Sequence, residues 1–140
     1  NYYGTHDKWE KPYIGKVFKT SPDGYMKEMD DDAGTMSSWL VLSTIGLFSG
    51  CPGIPYYWIS APLFDSITLN YTTGKKLRIR TIRKSNDDMY IQTVQLNGRK
   101  LERSWISYEE IMNGGELTIH LGTAPNGKWG TENIQFNYLR

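Results

Sequence analysis

Between Thr35 and Phe48 the chain reads Thr-Met-Ser-Ser-Trp-Leu-Val-Leu-Ser-Thr-Ile-Gly-Leu-Phe, long enough for a helix and apolar on almost every side. A helix lying on a protein surface carries one apolar stripe and one polar face. Here the large apolar residues are separated only by small Ser, Thr and Gly, which lets neighbouring backbones approach. The pattern predicts a helix over 35–48 that is buried on most faces and packed closely against other helices. Gly50-Cys51-Pro52-Gly53-Ile54-Pro55 is expected to stop it. No second strong helix occurs in the 140 residues to cover it. Such a chain is expected to be a fragment, the end of a larger helical domain with a smaller module attached.

That module reads as β-structure. Leu77, Ile79 and Thr81 alternate with Arg78, Arg80 and Ile82, and the same period of two runs through Ile67, Leu69 and Tyr71 and through Leu117, Ile119 and Leu121. Tyr90–Leu96 is a further strand with imperfect alternation. The Asn97-Gly98 pair behind it is a type I′ hairpin signal. Ser107 is a candidate N-cap for a short helix, Glu110 completes a capping box, and Gly114-Gly115 ends it. Short strands divided by turns predict a small antiparallel β-sandwich over 56–140. Residues 1–55 would then be the end of the helical unit, with a short helix near Ile14–Thr20 and a turn at Ser21-Pro22-Asp23-Gly24. The fold class expected is α+β.

Composition removes several function classes. A formal charge of +1 argues against nucleic acid or an anionic membrane as the main partner. No apolar run reaches the roughly 20 residues that span a bilayer. Arg78 and Arg80 share a strand face and read as a solvated surface. Cys51 is the sole cysteine, so no internal disulfide can form, and its place after an apolar segment predicts a small buried thiol. Aromatic residues make up 14%, which suits stacking on sugar rings and equally suits a small β-rich core.

Zinc spacings, phosphate-binding glycine loops and nucleophile elbows are all missing, and His6 and His120 lie far apart in sequence. The acidic run Asp30-Asp31-Asp32 stands out because it precedes Gly34 and the helix. Carboxylates at a helix N-terminus meet unpaired N–H groups and the positive end of the dipole, which favour the ionised form. That suits a base or an orienting group. It also suits a plain N-cap flanked by solvated loop charges. A calcium loop of the EF-hand kind is disfavoured, since the sixth position counted from Asp30 is Thr35 where glycine is needed.

The run Asp31-Asp32-Ala33-Gly34-Thr35-Met36-Ser37-Ser38-Trp39, followed by Gly46-Leu47-Phe48 and Cys51-Pro52-Gly53, resembles the signature near the end of the catalytic barrel in family 92 glycoside hydrolases. Ile59-Ser60-Ala61-Pro62-Leu63-Phe64-Asp65, Leu96-Asn97-Gly98-Arg99, Trp105-Ile106-Ser107 and Ile111–Leu117 continue the resemblance in family order. Upstream, Asn1-Tyr2-Tyr3-Gly4 and Pro22-Asp23-Gly24 also have counterparts. The resemblance implies the terminal helical segment of an (α/α)6 barrel, followed by the β-sandwich. It implies an inverting, calcium-dependent exo-α-mannosidase that removes α-linked mannose from glycans, secreted or periplasmic. Inversion uses one carboxylic acid to protonate the leaving oxygen and one carboxylate to activate water. The resemblance assigns the base side to Asp32, with Asp30 orienting or sharing the role.

Thr35 stands where the family has glutamine, and the loop between Gly24 and Asp32 is longer than usual. The upstream segment expected to carry the general acid and the residues near calcium has no counterpart here, and Glu28, Glu109 and Glu110 sit in no matching motif. The partners implied are a mannose-containing glycan and the upstream part of the same protein. The alternative is a non-catalytic β-sandwich module that binds carbohydrate, with Trp58, Trp105 and Trp129 as a stacking platform. Core packing is the competing reading for Trp58 and Trp105, and Trp129, in a Gly-rich loop, is expected to be the most exposed.

Overall fold

The computed structural model describes residues 32–51 and 53–131, with the backbone but not the side chain of Asp32. The expected helix near Ile14–Thr20, the turn at 21–24 and Asp30 lie outside the described residues. A short 3-10 turn, Asp32–Gly34, leads into helix α1, Thr35–Ile45. Strands β1 Leu47–Phe48, β2 Tyr56–Ile59, β3 Ser66–Asn70, β4 Lys76–Ile82, β5 Tyr90–Leu96, β6 Arg99–Leu101 and β7 Trp105–Ser107 follow. Helix α2, Tyr108–Asn113, and strand β8, Gly115–Gly122, complete the order.

Helix α1 is shorter than its apolar run because Gly46 stops it. Gly46 adopts a left-handed φ of 81°, and a Cβ there would collide with Pro62 and with the Ser60 carbonyl. The last two apolar residues of the run, Leu47 and Phe48, become a strand facing Ile59 and Trp58 of β2. The turn expected to end the helix instead joins β1 to β2, so Cys51 is exposed rather than buried. This chain's own strands do not enclose α1: among its eleven residues only Ser43 is buried, and Val41 is 58% exposed.

Among the described residues two sheets form, ordered β1-β2-β7 and β3-β4-β8-β5-β6. The second is mixed, which corrects the purely antiparallel expectation. After β4 the chain makes the β5–β6 hairpin, visits the small sheet as β7, turns through α2 and returns as β8 between β4 and β5. It therefore lies parallel to β4 and antiparallel to β5. A parallel pair needs such a long crossover. Leu77, Ile79, Leu117 and Ile119 are wholly buried, and they join Leu47, Ile59 and Ile106 of the small sheet in one core.

Tyr90–Leu96 alternates imperfectly for a local reason. The register slips between Ile91 and Thr93, a β-bulge that leaves Gln92 as the extra residue and puts buried Ile91 and Val94 three apart. Asn97 and Gly98 take φ of 52° and 76°, as the type I′ turn requires.

The capping box of α2 forms as expected. Ser107 Oγ accepts the Glu110 N–H at 3.2 Å, and Glu110 Oε2 accepts the Ser107 N–H at 3.0 Å. Arg103 pairs with Glu110 and lies 4.3 Å over the Trp105 ring. Burial alone would push the Glu110 carboxyl up. The Ser107 backbone N–H, the Arg103 guanidinium and the Ser107 hydroxyl outweigh it and hold the group below its ordinary 4.5. A depressed carboxyl binds fewer protons folded than unfolded, so its stabilisation is complete above the unfolded value and is lost as pH falls through the folded one. Glu110→Gln keeps an acceptor for the capping box but loses the ion pair with Arg103, and is therefore expected to destabilise by about 0.5 kcal/mol at pH 7. Urea midpoints should show the gap between variant and parent closing below about pH 4.

Candidate functional site

The acidic run is followed by an unusual helix start. Ala33 sits in the left-handed region at φ 54°, ψ 28°, and Gly34 follows at φ 78°. A non-glycine residue costs roughly 1–2 kcal/mol there. Gly34 is itself the N-cap and has no side-chain cap hydrogen bond, while Ser37 Oγ donates back to the Gly34 carbonyl at 3.1 Å. Asp32 is therefore not the N-cap of α1; it stands two positions before it. The first turn of α1 carries no acidic residue. Backbone strain retained at such a position is a reason to look for function there. The structure gives the backbone that carries Asp32, and Asp30 lies outside the described residues.

Among the described residues no group of three or more His, Cys, Asp or Glu could hold a metal ion. No helix among the described residues is long and apolar enough to cross a membrane.

Trp129 is half-buried, its indole N–H donates to the Leu101 carbonyl at 2.8 Å, and its ring packs on the core. The expected exposure is corrected: the indole anchors the loop after β8 to the end of β6. Trp129→Ala is expected to lower stability by about 2 kcal/mol while leaving any affinity for mannan unchanged, read by urea denaturation and calorimetry.

Trp58 and Trp105 also depart from expectation, since neither belongs to the buried core. They face each other in register across β2 and β7, half-buried, while their alternating neighbours Ile59 and Ile106 point inward. Tyr56 meets the Trp105 ring edge-on at 4.6 Å and 75°. The Trp105 indole nitrogen is buried with no hydrogen-bond partner among the described residues. The pairing of Trp58 with Trp105 joins β2 and β7, which lie 47 to 51 positions apart in register. The available signal was the period of two in Tyr56–Trp58. His120 lies on the half-buried polar side of β8, as its strand position predicts.

Residues 3–123 match the family model described as the glycosyl hydrolase family 92 catalytic domain. Over 105 residues the chain is 36% identical to an uncharacterized secreted glycosidase of Arthroderma benhamiae, covering 73% of this chain and 13% of that protein. Among solved structures, a family GH92 α-mannosidase of Bacteroides thetaiotaomicron superposes with a TM-score of 0.82 at 25% identity, covering 93% of this chain and 17% of that one. An inverting mannosidase of the same family and organism gives 0.80 at 31% identity, covering 92% and 17%. The chain thus spans about a sixth or less of the length of these relatives.

Proposed function

Since the chain belongs to glycosyl hydrolase family 92, we propose that it is part of an inverting exo-α-mannosidase acting on mannose-containing glycans, and that it supplies the general base. One observation carries this reading. The match to the family's catalytic-domain model runs through Asp30, Asp31 and Asp32 and the helix start behind them. The mannosidase titles of two solved relatives support the substrate class, and the secreted relative supports an extracellular or periplasmic site.

In an inverting mechanism the base carboxylate stands roughly 6.5–9.5 Å from the acid, leaving room for the attacking water. Asp32 takes that base role, removing a proton from water as the glycosidic bond breaks, and Asp30 orients the water or shares the proton. Both precede α1 closely in the sequence, and a helix N-terminus favours the negative form of carboxylates near it. The general acid and any calcium site come from the upstream part of the same polypeptide, whose terminal barrel helix would be α1. The direct test is the product anomer. Proton NMR of the first turnovers by the full-length protein on an α-mannoside is expected to show β-mannose first; initial α-mannose would discard the inverting reading.

A further inference from the structure

The sequence carries a single Asn-x-Ser/Thr tripeptide, Asn70-Tyr71-Thr72, and the catalytic reading makes no use of it. The fold sets it at an open corner. Asn70 is the last residue of β3, and among the described residues β3 is the outer strand of its sheet. Its side chains alternate. Ile67 and Leu69 pack against the core, while Ser66, Thr68 and Asn70 are exposed on the other face. Thr72 is exposed in the turn that leads to β4. Among the described residues, nothing engages the Asn70 amide or the Thr72 hydroxyl.

The backbone of Asn70 is open as well. The Tyr71 N–H donates to the Lys75 carbonyl at 3.0 Å, so the hydrogen-bonded pairs of this antiparallel ladder are Leu69 with Leu77 and Ile67 with Ile79. Asn70 and Thr68 fall between those pairs, and their N–H and C=O groups point away from β4. The middle residue is fixed. The Tyr71 hydroxyl donates to the Ile111 carbonyl at 2.9 Å, and the Tyr71 carbonyl accepts the Gly74 N–H at 3.0 Å. A rigid central residue thus presents two exposed neighbours. A large polar group on the Asn70 side-chain nitrogen displaces no core atom and breaks none of these hydrogen bonds.

We propose that Asn70 is a modification site, the acceptor of an N-linked oligosaccharide. The donor class is a lipid-diphosphate-linked oligosaccharide, used by an oligosaccharyltransferase. The Asn70 amide nitrogen bonds to the sugar's anomeric carbon, the bond from that carbon to the lipid diphosphate breaks, and the amide gives up one proton. Thr72 supplies the hydroxyl the acceptor motif requires, and Tyr71 satisfies its exclusion of proline. This rests on the extracellular reading of the preceding subsection and narrows it to a route past that transferase. The attached sugar stands beside the open edge of β3, where it hinders pairing by a strand of another molecule.

The test secretes the full-length polypeptide from yeast and releases N-glycans with peptide N-glycosidase F in heavy-oxygen water. That treatment turns a glycan-bearing asparagine into a heavy-oxygen aspartate, located by peptide mass spectrometry. The mark is expected at Asn70, retained in Thr72→Ser and lost in Thr72→Ala, which keeps Asn70 itself. An unmarked Asn70 in the secreted parent overturns the proposal. So does a mark that persists in Thr72→Ala, and so does a polypeptide that never reaches the medium. Mannosidase activity is read on the same samples. A marked but inactive protein keeps the modification and discards the catalytic reading; an active, unmarked one does the reverse.

Discussion

Replacing Asp32 by asparagine in the full-length protein is expected to lower kcat on an α-mannoside by about 10²–10⁴-fold, with KM changed little. Asparagine keeps the size and one carbonyl acceptor but cannot take a proton from water. What is lost is an interaction made only in the transition state, so kcat and kcat/KM should fall together. The acidic limb of the pH–rate profile should also flatten, because that limb reports protonation of the base. Asp30→Asn is expected to lower kcat less and to move that limb while keeping it. Stopped assays over pH 4–8 measure both. Wild-type kcat in Asp32→Asn would transfer the base role to another residue.

The second large effect concerns the 140-residue chain by itself. On the proposed division of labour it holds the base without the acid, and a general acid contributes typically 10²–10⁴-fold. Loss of the remaining sugar-binding surface comes on top of that. The isolated chain is expected to turn over an aryl α-mannoside at least about 10⁴-fold more slowly than the full-length protein. Parallel assays at equal molarity read the ratio. Activity within tenfold of the full-length protein would mean that an acid resides here, and Glu110 would then be examined first. Its pairing with Arg103 and the Ser107 cap, which hold it ionised, argues against that role.

Much was legible before any coordinates. Period-two alternation located β3, β4 and β8, because a strand with one buried face must alternate and a slip of one residue would expose Leu77 and Ile79. The capping box at Ser107 and the turn at Asn97-Gly98 were equally clear, since both are satisfied within a few residues. The acidic run ahead of α1 could be read as a candidate site because a helix start and the charges before it are adjacent in sequence; its catalytic role is the proposal made above.

What remained hidden depends on residues distant in the chain. The end of α1 at Gly46 follows from the approach of Ser60 and Pro62, which no local pattern encodes. The parallel seating of β8 beside β4 is a choice among strand neighbours made by the whole core. Trp129 passes from an apparently open loop to an anchored indole because the Leu101 carbonyl lies within hydrogen-bond reach. Local periodicity and turn chemistry determined which segments became strands, caps and turns, since backbone geometry acts over a few residues. Tertiary packing decided where α1 stops, which strands are neighbours and which aromatic rings share a face, since those contacts join positions that only the folded chain brings together.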